Sequence, residues 1–146
     1  MRKIKTILLV FVMIMMMPKT AYSQTENEVQ KWERVINAII MVESGGNPKA
    51  HNPHGDCAGI LQITPVLVKE CNILLKRQNS KKRYTLSDRY DVKKSKEMFV
   101  IIQEHFNPEM NIEKAIKCWN CGGFNLKNNG WKYKSVGYYK KVMKHY

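Results

Sequence analysis

From Asn27 to Val42 the apolar residues Val29, Trp32, Val35, Ile36, Ile39 and Ile40 recur in steps of three and four, which puts them on one face of a helix. That stripe runs into a carboxylate, Glu43. The residues that follow, Ser44-Gly45-Gly46-Asn47-Pro48, stop the helix, because glycine closes a helix C-terminus and proline cannot extend one. Sixteen residues after Glu43 a second tight turn begins, Gly59-Ile60-Leu61-Gln62, carrying a side-chain amide. A chain built this way must hold Glu43 at the open end of a buried helix, with Ile39, Ile40, Met41 and Val42 before it. A carboxyl in apolar company has its pKa raised and can deliver a proton near neutral pH, the requirement for breaking a glycosidic bond.

The N-terminus reads differently from the rest. Arg2, Lys3 and Lys5 precede an apolar run from Ile7 to Met17, and Ala21-Tyr22-Ser23 has the small residues of a signal-peptidase site, so residues 1–23 are expected to be a cleaved export signal. The run is short for a permanent membrane span. The expected mature domain, 24–146, is large enough for one hydrophobic core. Loss of the four basic residues of the signal leaves 21 basic against 12 acidic side chains, a formal charge of +9. Such a protein is drawn to polyanions, and in a periplasmic or extracellular setting these are wall peptides, anionic lipids and wall polymers. No helix-turn-helix, zinc or aromatic RNA-binding signature accompanies the charge, so nucleic acid is not an expected partner. Four cysteines, Cys57, Cys71, Cys118 and Cys121, lead in an exported chain to the expectation of two disulfides with three possible connectivities. Cys118-Trp119-Asn120-Cys121 has redox or half-zinc spacing but no second half-site, and no metal or cofactor is expected.

Further along, Thr64-Pro65 opens a second predicted helix to Arg77, with Val66, Val68, Cys71, Leu74 and Leu75 inward. Residues 49–63 read as an irregular turn with a short ribbon around Ile60 to Ile63, and Gln78 to Tyr90 as a polar loop. Asp91 caps a third helix to about Phe106, with Met98, Phe99, Ile101 and Ile102 inward. Asn111 opens a fourth, with Ile112, Ala115, Ile116 and Trp119 inward, ending at Gly122-Gly123. After a loop from Asn125 to Gly130, a last helix from Tyr133 or Ser135 to about His145 presents Val136, Tyr139, Val142, Met143 and Tyr146. The expected fold is mainly α, with five short helices around one core and an irregular cleft-forming segment between the first two.

The order of motifs, Glu43-Ser44-Gly45-Gly46-Asn47-Pro48, then Ala58-Gly59-Ile60-Leu61-Gln62-Ile63-Thr64-Pro65, then Trp119-Asn120-Cys121-Gly122, then Tyr138-Tyr139-Lys140-Lys141, resembles the catalytic domain of soluble (SLT) lytic transglycosylases, relatives of goose-type lysozyme. The resemblance covers essentially the whole mature chain and implies a lysozyme-like helical domain acting on peptidoglycan glycan strands. It implies Glu43 as the sole catalytic carboxylate, acid first and base second. Ser44, Gln62, Trp119 and Asn120 fall at cleft positions, Trp119 where the family motif has tyrosine. Tyr138, or Tyr139 one residue on, matches the tyrosine that reaches over the glutamate. Two stretches depart from the family: His51-Asn52-Pro53-His54 stands where a serine is common, and Ser135-Val136-Gly137 replaces a glutamate-threonine-arginine string.

The implied reaction cleaves the β-1,4 bond between N-acetylmuramic acid and N-acetylglucosamine and closes a 1,6-anhydro ring. The alternatives are a hydrolytic lysozyme in which Asp56 positions water, and a non-catalytic wall-binding or assembly protein. Small size favours service to a secretion or conjugation apparatus over general wall turnover. With Cys57 and the 118–121 segment expected to border one cleft, the expected bridge joins Cys57 to Cys118 or Cys121.

Overall fold

The structure is a computed structural model that describes residues 21–122 and 130–146. The expected signal up to residue 20, Gly123 and the expected loop from Asn125 as far as residue 129 lie outside the described residues. Helix α1 (Ala21–Glu43) starts ahead of Asn27, where Ala21, Gln24 and Glu26 are good helix formers. It buries Trp32, Val35, Ile36, Ile39 and Ile40, while Met41 is half exposed on the opposite face. A two-stranded antiparallel ribbon follows, β1 (His51–Asn52) on β2 (Cys57–Ala58), with His51 opposite Ala58.

The ribbon therefore sits earlier than the expected Ile60 to Ile63. Positive φ at Gly59 (77°) and Gln62 (49°) rules out a strand there and curls the chain into a closed turn. Ala58 and Ile63 clamp it with reciprocal backbone hydrogen bonds of 3.1 and 2.9 Å, and Ile60, Leu61 and Ile63 are driven into the core.

Helix α2 (Pro65–Arg77) is capped by the Thr64 hydroxyl, which accepts from the Leu67 amide, and carries proline in its first turn. Val68, Cys71, Leu74 and Leu75 are buried. Val66 is 77% exposed, against expectation, because it lies about 200° around the helix from Val68. Helix α3 (Val92–Phe106), capped by Asp91, lies between α1 and α2. Its Met98, Phe99, Val100 and Ile102 are buried, and Phe99 meets Trp32 edge-on at 5.8 Å. Helix α4 (Ile112–Cys121), capped by Asn111, ends on Gly122, and helix α5 (Val136–Met143) packs against α1 and α4. Of the residues expected to face inward from α5, Val142 is buried, Tyr139 packs at the core's edge, and Val136, Met143 and Tyr146 are exposed.

The expected loop from Gln78 to Tyr90 is an ordered brace. Asn72 of α2 holds it with a reciprocal pair, Nδ2 donating to the Tyr84 carbonyl and Oδ1 accepting from the Tyr84 amide, both at 2.8 Å. The Tyr84 hydroxyl reaches Glu97 of α3 at 2.9 Å, and a 3-10 turn, Leu86–Tyr90, buries Arg89. A basic residue looks like solvated surface in sequence; here the Leu86, Asp56 and Ile63 carbonyls accept from its Nε and Nη1.

The two expected disulfides, including a bridge from Cys57 to Cys118 or Cys121, are not formed: all four cysteines are free thiols. Each sulfur has another partner instead. Cys71 is in the core against the Met98 carbonyl, Cys57 turns back to the Gly55 carbonyl, and Cys118 contacts Cys121 within the last turn of α4. Burial pushes the Cys71 and Cys118 thiols up to about 12. No helix among the described residues is long and apolar enough to cross a membrane.

Candidate active site

Glu43 is the last residue of α1 and is half-buried. Burial holds its carboxyl above the ordinary range, partly offset by a hydrogen bond from the Tyr138 hydroxyl to Oε1 at 2.6 Å. The carbonyl end of a helix also disfavours a negative charge placed on it. Tyr138, on α5 and 95 residues away in sequence, stays a neutral donor, its own pKa raised by burial and by the Glu43 charge. The structure thus brings Tyr138, rather than Tyr139, onto the carboxylate.

Ser44 fastens that carboxylate to the next wall. Its hydroxyl donates to the Ile60 carbonyl at 2.8 Å and accepts from the Gly46 amide at 3.2 Å, tying the end of α1 to the Gly59–Gln62 turn. The Gly59 amide donates to the Ala50 carbonyl at 2.8 Å, so the turn is also bound to the segment after Pro48. Gln62, partly exposed on this turn, bonds its Nε2 to the Gly59 carbonyl at 3.0 Å; its Oε1 has no partner among the described residues. The Trp119 indole of α4 closes on the same turn, Nε1 donating to the Leu61 carbonyl at 3.1 Å while the ring packs on Phe99 at 5.0 Å. Gln62 and Trp119 are therefore gathered around one loop.

Asn120 points elsewhere. It is exposed, and its Oδ1 accepts from the Ser135 hydroxyl at 2.8 Å, securing the entry to α5. Ser135 itself stands at φ 56°, a left-handed conformation that aims α5 and with it Tyr138. Asn52, in the stretch that departs from the family, uses its side chain to accept from the His54 amide, an Asx turn in the hairpin.

Asp56 lies at the hairpin tip with φ 46°. Arg89 Nη1 bonds its backbone carbonyl at 2.6 Å and its carboxylate at 3.2 Å, and reaches the Ile63 carbonyl at 3.2 Å. Burial and then the charge of Glu43 raise the Cys57 thiol. The Asp56 carboxylate is tied up in its ion pair with Arg89, so the arrangement offers one half-buried carboxyl with a raised pKa, Glu43, and one carboxylate used as a strut.

Sequence reasoning missed Arg89, Ser135 and Lys117. Lys117 is buried in α4, paired with Glu113 at 2.6 Å, and its Nζ donates to the Lys132 carbonyl at 2.9 Å, holding the 3-10 turn Gly130–Tyr133 that leads to α5. The contacts that give these residues their roles across the fold lie 15 to 33 positions away, beyond the reach of any local signal. Among the described residues, no three His, Cys, Asp or Glu side chains are grouped to hold a metal ion.

The family model described as Transglycosylase SLT domain matches residues 19–142. No curated protein and no solved structure matches the chain. The matched stretch takes in Glu43, the Gly59–Gln62 turn, the end of α4 and Tyr138 in one span, and the chain belongs to the transglycosylase SLT domain family.

Proposed function

We propose that this protein is an exported peptidoglycan lytic transglycosylase that cleaves the N-acetylmuramic acid to N-acetylglucosamine bond with Glu43 as its sole acid and base. The observation that carries the reading is the half-buried Glu43 carboxyl, held above its ordinary pKa and gripped on one oxygen by Tyr138. Oε1 is fixed by the phenol, which leaves Oε2 to carry the proton to the bridging oxygen. As that bond breaks, positive charge develops on the muramic ring; the carboxylate then takes the proton of the same sugar's C6 hydroxyl, whose oxygen bonds to C1. The nucleophile is part of the substrate, so no second carboxylate is required. Gln62 and Trp119 line the sugar cleft, while Ser44 and Asn120 hold its two walls. The mature domain works outside the cytoplasmic membrane, in the periplasm or beyond, and opens wall locally for a secretion or conjugation apparatus.

The deciding experiment is mass spectrometry of fragments released from purified peptidoglycan. They are expected to end in 1,6-anhydromuramic acid, one water lighter than a hydrolysis product and inert to borohydride. Reducible muramic acid ends, lost in Asp56→Asn without unfolding, would replace this reading with a lysozyme. Glu43→Gln is expected to lower turnover by roughly 10²–10⁴-fold with an unchanged circular dichroism spectrum, since an amide cannot supply the proton.

A further inference from the structure

Away from Glu43, the outer face of α2 and the brace that Asn72 pins to it enclose an open groove of about 460 Å³. That volume is within the range of sites that seat a few side chains. None of its lining residues belongs to the Glu43 site. Its floor is apolar, made by Val68, Ile73 and the half-exposed Leu86, and its rim is cationic, made by Lys69, Lys76 and Arg83. No carboxylate lines it. Lys69 and Lys76 form no ion pair among the described residues, in contrast to Lys82, Lys94, Lys96, Lys114 and Lys117, each of which has a glutamate or aspartate partner. Arg83 is held in place by the Ser80 and Lys82 carbonyls at 2.8 and 2.5 Å. The groove is also preformed: the double hydrogen bond between Asn72 and the Tyr84 backbone fixes the distance between its two walls.

We propose that this groove docks an extended acidic segment of a partner protein, with an apolar side chain on the floor and carboxylates against Lys69 and Lys76. The spacing supports the occupant. Lys69 and Lys76 are seven residues apart on α2, on nearly the same face and about 10 Å apart along the axis. In a polyproline-type segment, residues i and i+3 share a face and lie about 9 Å apart, so two acids at that interval meet both lysines while a residue between them reaches Ile73. Such recognition uses a low-entropy extended chain and charge complementarity together.

The test uses the whole mature protein and a fluorescein-labelled peptide, Gly-Glu-Pro-Leu-Glu-Pro-Gly, read by fluorescence polarisation. Saturable binding is expected, weakened at least tenfold by Lys69→Glu/Lys76→Glu and also by replacing the two glutamates of the peptide with glutamine. The double variant should then prefer a peptide with lysines at those two places, and its turnover of peptidoglycan should equal that of the wild type. Arg83→Glu, on the opposite wall, gives the same direction of change should the double variant prove unstable. Absence of binding up to about 1 mM peptide overturns the proposal, as does binding that the charge reversals leave unchanged. Binding to phosphatidylglycerol vesicles that disappears in the double variant, without peptide binding, overturns it in favour of a membrane surface.

Discussion

The two sides of the Glu43 site are built to different standards. On the glutamate's side, α1 runs into a turn region tied at many points: Ser44 to Ile60, Gly59 to Ala50, Ala58 to Ile63, and Arg89 across Asp56 and Ile63. Ile60, Leu61 and Ile63 of that region are buried. On the tyrosine's side, α5 has eight residues, of which Val142 alone is fully buried. Its position relies on polar tethers at its ends, Ser135 on Asn120, Lys132 on Lys117, and Arg34 on the Tyr146 carbonyl at 2.9 Å. The difference teaches that Glu43 is placed by the same packing that holds the fold, whereas Tyr138, which donates to it, is on a thinly buried helix whose ends are set by a few replaceable hydrogen bonds. Damage on the first side should cost stability, and damage on the second should cost rate or shift its pH profile.

The sharpest break of the first side is Gly59→Ala. Gly59 needs its positive φ, and a Cβ there runs into the Arg89 carbonyl, so neither the turn nor the brace can give without repacking. A loss above about 4 kcal/mol in denaturant unfolding, or failure to fold, is expected. Arg89→Met comes next. It strips hydrogen bonds from the Asp56, Ile63 and Leu86 carbonyls while keeping most of the side-chain volume, and should cost roughly 3 kcal/mol, with activity falling in step with the folded fraction.

Tyr138→Phe tests the second side and should separate rate from stability. The lost hydrogen bond had favoured the ionised form of Glu43, so its removal moves the carboxyl pKa further up. The alkaline limb of kcat/KM should shift to higher pH, while the maximal rate drops by about 10–100-fold because Oε1 is no longer held. A fall in rate with an unmoved limb would mean the tyrosine only shapes the cleft. The smallest effect is expected from Asn120→Ala, which frees the start of α5. A loss of about 1 kcal/mol or less, with a few-fold lower kcat, should appear in thermal melts and turnover assays. A loss comparable to that of Arg89→Met would erase the contrast between the two sides.

The helices and the position of Glu43 at the end of the first of them were readable because their signals are local. The Val29 to Ile40 stripe, the Thr64-Pro65, Asp91 and Asn111 starts, and the glycines after Glu43 act within one or two turns of the chain, where periodicity and capping are decided by the residues present. The order of the four motifs pointed to the family in the same way. Only the tertiary structure decided how Arg89 braces the hairpin, why Gln78 to Tyr90 is ordered, and which of two adjacent tyrosines meets Glu43. It also showed the four cysteines as separate thiols and Ser44 and Asn120 with partners inside the protein. Each of these depends on groups brought together from distant positions: charge and hydrogen-bonding capacity are written in the sequence, but burial and partner are set by packing, and burial is what raises the pKa of Glu43 above that of an ordinary glutamate.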